Sequence, residues 1–153
     1  MRMTCRPVRP LAAARAVCAL LLLSTLGFSG CASPASPTFG TVSAEGLAGT
    51  WTLQILQQAG GPAIAAPSEA SYSLTFSGNR VSALADCNTC SGSFTIVGDA
   101  VTISPVLACT RALCKTAPFE QLYTVMLAGE SRVGVSGKLM VLNSARGQLR
   151  FTK

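Results

Sequence analysis

From Gly46 onward the chain places apolar residues at every second position, in short runs broken by Gly, Asn, Asp or Ser. A two-residue period is that of a strand with one buried face. Trp51, Leu53 and Ile55 alternate with Thr52 and Gln54. Ala59-Gly60-Gly61-Pro62 breaks the run, and the segment to Pro67 reads as a loop. Tyr72, Leu74 and Phe76 alternate with Ser71, Ser73 and Thr75; Ser77-Gly78-Asn79 then turns the chain, and Arg80 to Ala85 returns. Phe94 and Ile96 share a face, Gly98-Asp99 signals a tight hairpin, and Val101 and Ile103 follow. One segment leaves this rhythm. Thr116-Ala117-Pro118, then Phe119, Leu122, Val125 and Met126, predicts a helix, with Thr116 as its cap, Pro118 in its first turn and Gly129 as its stop. Strands resume over Arg132 to Val135, Leu139 to Leu142 and Gln148 to Thr152, with turns at Ser136-Gly137-Lys138 and Asn143 to Gly147. The expectation is a mainly β (α+β) domain: seven or eight short antiparallel strands with one packed α-helix. Exposed strand edges invite pairing between molecules, which favours closure or near-closure into a cracked or open β-barrel.

The first thirty residues have a different character. Arg2, Arg6, Arg9 and Arg15 precede an apolar run from Ala16 to Leu26. That run is shorter than the roughly 20 residues a membrane-spanning helix needs, and it has the form of a signal-peptide core. Leu26-Gly27-Phe28-Ser29-Gly30-Cys31 resembles a bacterial lipobox. The resemblance implies a signal peptide over 1–30, with Cys31 as the lipid-bearing first residue of the mature chain. Residues 31–45, rich in Ser, Pro and Ala, then form a flexible tether, and the domain covers 46–153. An ordinary secretory cleavage just after Cys31 or Ala32, without lipid, is the alternative. Ala32, rather than Asp, after Cys31 points to the periplasmic face of an outer membrane. Of twelve basic residues four lie in the signal, leaving eight against six acidic ones, a net charge of +2. No clustered basic surface for nucleic acid is left.

Seven cysteines divide three ways. Cys5 and Cys18 leave with the signal, Cys31 is the lipidation site, and Cys87, Cys90, Cys109 and Cys114 remain. In an oxidising compartment four cysteines in a small domain read as two disulfides. The hairpin about Gly98-Asp99 sets Cys90 opposite Cys109 and Cys87 opposite Cys114, a nested pairing; Cys87–Cys109 with Cys90–Cys114 also fits, with a larger slip. A redox Cys-x-x-Cys site lacks the surrounding βαβ pattern and helix N-terminus such thiols use. A four-cysteine zinc site has compatible spacing but the wrong compartment, so no metal or cofactor is expected.

Gly49-Thr50-Trp51-Thr52-Leu53, then Cys87-Asn88 followed by Gly92 and Phe94, then Thr110 to Cys114 ahead of a helix, then the closing hairpin Lys138–Leu142 and Gln148–Phe151, together resemble the META domain (HslJ-like) bacterial lipoprotein family. The family usually carries glycines just ahead of Cys-Asn, where this chain has Ala83 and Asp86. Against that family's pattern, Cys90 and Cys109 look like an added pair. The resemblance implies a small cracked barrel packed by one helix, on an envelope lipoprotein associated with heat induction and antibiotic tolerance. It carries over no catalytic residue.

The chain contains no histidine, which excludes Ser-His-Asp and Cys-His catalysis. Glu45, Glu69, Asp86, Asp99, Glu120 and Glu130 are scattered and suggest no acid–base pair. The expected role is therefore non-enzymatic: a monomeric interaction or stress-related module, held to the membrane by lipid on Cys31 and contacting an envelope protein. The alternatives are a carrier or sensor of a small apolar ligand in the barrel interior and a protease inhibitor presenting Arg111.

Overall fold

A computed structural model describes residues 39–153. The signal segment, Cys31 and the tether as far as residue 38 lie outside the described residues. In chain order the elements are α1 (Ala44–Leu47), β1 (Gly49–Gln58), β2 (Ala63–Ala65), β3 (Tyr72–Ser77), β4 (Arg80–Ala85), β5 (Asn88–Val97) and β6 (Ala100–Ile103). They continue with β7 (Ala108–Cys109), α2 (Ala117–Leu127), β8 (Gly129–Ser136), β9 (Leu139–Ser144) and β10 (Gly147–Thr152). Eight strands run β1-β3-β4-β5-β6-β8-β9-β10, all antiparallel, and β10 pairs back onto β1. The result is a mainly β, antiparallel barrel packed by α2, as expected, with the ring fully closed by the β10–β1 pairing. β2 and β7 lie outside this ring, against β1 and β5 respectively.

Most strands bury alternate residues. Tyr72, Leu74 and Phe76 of β3 and Val81, Ala83 and Ala85 of β4 all point inward. β1 departs from the expected alternation. Its register against β10 slips between Leu53 and Ile55, a β-bulge, so Trp51, Leu53 and Leu56 are buried while Ile55 is only half-buried. The extra residue bends and twists the strand locally. That allows β1 to pair β3 through its first half and β2 through its second while keeping β10 on its other edge. The 59–67 segment, read as loop, thus contains the three-residue strand β2.

Trp51, Phe76, Tyr123 and Phe151, with Leu47, Leu56, Leu74, Leu142 and Leu149, are fully buried inside the barrel. Burial of each large apolar side chain contributes about 1.5–3 kcal/mol. Phe76 and Phe94 meet edge-to-face at 5.0 Å, the geometry favoured by ring quadrupoles.

The two ends of the barrel differ. One carries the turns at Gly78-Asn79, Gly98-Asp99 and Gly137-Lys138 together with the start of β1 and the end of β10. The described chain enters here: Phe39 bridges to Gly134 and the Val42 N–H donates to the Gly98 carbonyl. Ser43 accepts from the Gly46 N–H to cap α1, and Leu47 is fully buried. Residues 39–45, read as part of the tether, are thus packed against the barrel. The other end holds the Asp86-Cys87 turn, residues 104–116 and α2. α2 buries Tyr123, Met126 and Leu127 and leaves Val125 exposed. Of the predicted Phe119–Leu122–Val125–Met126 line, Met126 is buried and Phe119 and Leu122 pack against the core; Val125 alone faces outward. Gly129, at a positive φ of 88°, ends the helix and opens β8 without an intervening loop.

Candidate functional site

The chemistry-bearing residues gather at the α2 end. Cys87 bonds to Cys114 and Cys90 to Cys109, the nested arrangement, with Cα separations of 5.6 and 4.0 Å. Cys90 and Cys109 sit directly opposite each other on β5 and β7. The chain from Ser104 to Cys114 runs back along β5, held by these two bridges. Gly92 lets it lie close, since a Cβ there would stand 2.7 Å from Leu107 Cδ2 and 3.2 Å from Ser104 Cβ.

Between the bridges lies Asn88, 2 % exposed. Its Oδ1 accepts from the Ala112 N–H at 2.8 Å and the Thr110 hydroxyl at 2.9 Å. Its Nδ2 donates to the Ala112 carbonyl at 3.0 Å, Glu120 Oε1 at 2.9 Å and Cys114 Sγ at 3.1 Å. One buried amide thus ties β5, the 110–114 segment and α2 together. Its donors and acceptor are used as burial demands.

The preceding turn is built by Asp86. It is the one non-glycine with positive φ among the described residues, at 57°. Aspartate tolerates this left-handed conformation better than most residues because its short polar side chain bonds locally. Here its Oδ2 accepts from the Thr116 N–H at 2.8 Å and the Thr116 hydroxyl at 2.5 Å. Those two bonds, hydroxyl first, hold its carboxyl below the ordinary aspartate range. Thr116 was expected to cap α2 with its own side chain; instead it stands at the N-cap with its hydroxyl turned to Asp86. That hydroxyl's proton is committed to a carboxylate, so Tyr72, 2.6 Å away, donates to it. Burial pushes the Tyr72 phenol up and the Tyr123 phenol well up. Tyr123 donates to the Ser73 carbonyl at 2.9 Å and meets Tyr72 edge-on at 5.4 Å.

Outside this polar frame the segment is open. Arg111, Leu113 and Lys115 are exposed, Leu113 at 98 %. A cleft of about 430 Å³ separates Cys109–Ala112 from Ala117, Glu120, Gln121 and Thr124 of α2, with Asn88 at its floor. The described residues contain no group of three or more Cys, Asp or Glu side chains placed to hold a metal. Cys87, Cys90, Cys109 and Cys114 are all brought into one frame; Arg111 projects from it. Asn88 and Asp86 emerge as organising residues that spacing alone did not single out. Their position, immediately flanking the first disulfide cysteine, was the available signal.

A family model described as META domain matches residues 45–153. No curated protein matches the chain. Among solved structures, the NMR structure of a protein from Burkholderia xenovorans is 26 % identical with a TM-score of 0.63, over 78 % of this chain and 93 % of that one. A second NMR structure is 20 % identical with a TM-score of 0.57, over 72 % of this chain and 94 % of that one; it bears on the fold alone.

Proposed function

Because the chain belongs to the META domain family, we propose that it is an exported, lipid-anchored envelope module that works by binding another envelope protein rather than by catalysis. The observation that carries this reading is the asymmetry of the barrel. The described chain enters at one end, at Phe39, while the opposite end presents a segment braced by two disulfides with Leu113 and Arg111 exposed. A tether arriving from Cys31 would leave that segment free to meet a partner. The disulfides support an oxidising location. The lack of histidine fits a role without His-based acid–base chemistry.

The barrel interior is occupied by Trp51, Phe76, Tyr123 and Phe151. That filling favours the binding module over a carrier of apolar ligands. The test is in-cell cross-linking followed by membrane fractionation, with wild type and Cys31→Ala. The expected result is a specific cross-linked partner with wild type and release of the variant from membranes. Recovery of no specific partner by the wild-type chain would refute the proposal.

A further inference from the structure

The disulfide-braced segment is also an unfinished sheet. The Thr110 N–H donates to the Thr89 carbonyl at 3.0 Å, and the Thr89 N–H to Thr110 Oγ1 at 3.0 Å. The Ala112 N–H and carbonyl are both taken by the Asn88 amide. The Thr110 N–H and both main-chain groups of Ala112 are therefore directed towards β5. Antiparallel strands alternate such bonded residues with unbonded ones, whose Cα atoms stand closer together. Cys109 is of the second kind, its Cα 4.0 Å from that of Cys90. The N–H and C=O of Cys109 and Arg111 thus face away from β5. Among the described residues, Arg111 has no main-chain partner.

Cys109 and Arg111 both line the cleft whose far wall is α2. Its volume, about 430 Å³, is within the range of ligand-sized sites. Ala112 and Ala117 on its walls are small, so a second backbone can approach. The edge is fixed in advance by bridges on both sides, which lowers the ordering cost of binding. The most exposed charges beside it are basic: Arg111 on its wall and Lys115 just beyond are exposed and make no ion pair among the described residues, while Glu120, the carboxylate on the α2 wall, is half-buried and held by Asn88. We propose that the outer edge of Cys109–Leu113 accepts an extended acidic segment of a partner protein as an added strand. Arg111 would meet a carboxylate and Leu113 an apolar side chain of that segment. This is strand addition to an open edge, in which main-chain bonds give affinity and side chains give selectivity. The inference rests on the reading of the protein as a binding module and names its site and the chemistry of its partner.

The test uses the full chain in detergent micelles. The probe is an eight-residue peptide alternating glutamate and valine, with a lysine–valine counterpart and two N-methylated forms, each blocking one of the two alternating sets of amides. Titration is read by calorimetry and by the amide NMR shifts of Cys109 and Arg111. Strand addition predicts saturable binding of the acidic peptide, with binding at least ten-fold weaker for the lysine form. One N-methylated set should lose at least ten-fold in affinity and the other little. Arg111→Glu should reverse the charge preference. Absence of saturable binding by the acidic probe, or equal effects of the two methylation sets, would overturn the proposal. A photo-crosslinker at Val97, 79 % exposed at the opposite end, separates the two ideas. Specific capture through Val97 together with silent peptides removes the groove and leaves the binding module standing. No capture from any position removes both.

Discussion

Asn88→Asp is the most discriminating perturbation of this domain, because it changes one atom and no volume. Oδ1 would keep its bonds from Thr110 and Ala112. The second oxygen would replace a donor, 3.0 Å from the Ala112 carbonyl and 2.9 Å from Glu120 Oε1. The loss of a neutral hydrogen bond costs about 1 kcal/mol, and that of one to a charged acceptor about 1.5–3 kcal/mol. Two carboxylates 2.9 Å apart repel by about 6 kcal/mol at an effective dielectric of 20. The pair can escape by binding a proton, which at pH 7 costs about 4 kcal/mol for an ordinary carboxyl. Glu120 is half-exposed, so water relieves part of this. The net expectation is a loss of about 3–5 kcal/mol at pH 7. The sign with pH follows. The introduced carboxyl has its folded pKa raised, so the penalty is full at neutral pH and shrinks as pH falls through that raised value. Urea unfolding at pH 7 and pH 5 measures it, with the exposed Asn143→Asp as a charge-matched control. A loss no larger than the control's, or one that does not shrink at pH 5, would refute the role assigned to Asn88.

Gly92→Ala should cost about 1–3 kcal/mol through overpacking against Leu107, and Leu107→Ala in the same chain should restore most of it; both are read from denaturation midpoints. Replacing either cysteine pair by serine should cost about 3 kcal/mol from loop entropy, since the bridges span 19 and 27 residues. The Cys87–Cys114 pair should cost more, because its loss also frees the segment that Asn88 holds, and amide exchange of residues 110–116 should rise. Asp86→Asn keeps the turn but weakens the acceptor for Thr116. Because the native Asp86 carboxyl is held below its ordinary range, its contribution is full above that range and fades as acid protonates it. The melting-temperature gap between wild type and variant should therefore be widest near neutrality and close towards pH 3.

What the sequence made legible follows from how local each feature is. Tyr72, Leu74 and Phe76 each declare their facing by alternation alone, and the hairpin turns at Gly78-Asn79 and Gly98-Asp99 follow from residues that accept positive φ. The nested cysteines were legible because a hairpin converts spacing into register. Leu56 was not, because the bulge that turns it inward arises from pairing with β10, far along the chain. β2 and β7 are three and two residues long, too short to carry a pattern; each exists because a long strand offers it an edge. Val125 was misplaced because helix rotation is set by Tyr123 reaching Ser73 and Phe151, contacts with no local trace. At the site, Asn88 reads locally as a turn residue, and only the fold reveals its five simultaneous hydrogen bonds to four residues. Asp86 combines the left-handed backbone the turn needs with an acceptor that glycine would lack.

The pairing of β1 with β10 governs how the domain is assembled in time. The ring closes between its first strand and its last, so no amino-terminal portion of the domain can complete it. One edge of β1 is covered only by a strand about a hundred residues further along the chain, a long-range closure of the kind that slows folding. The hairpin carrying all four bridged cysteines, by contrast, is complete at Cys114. Oxidation can therefore precede barrel closure, and shortening the chain by its final strand should leave a cross-linked, unclosed intermediate rather than a smaller folded protein.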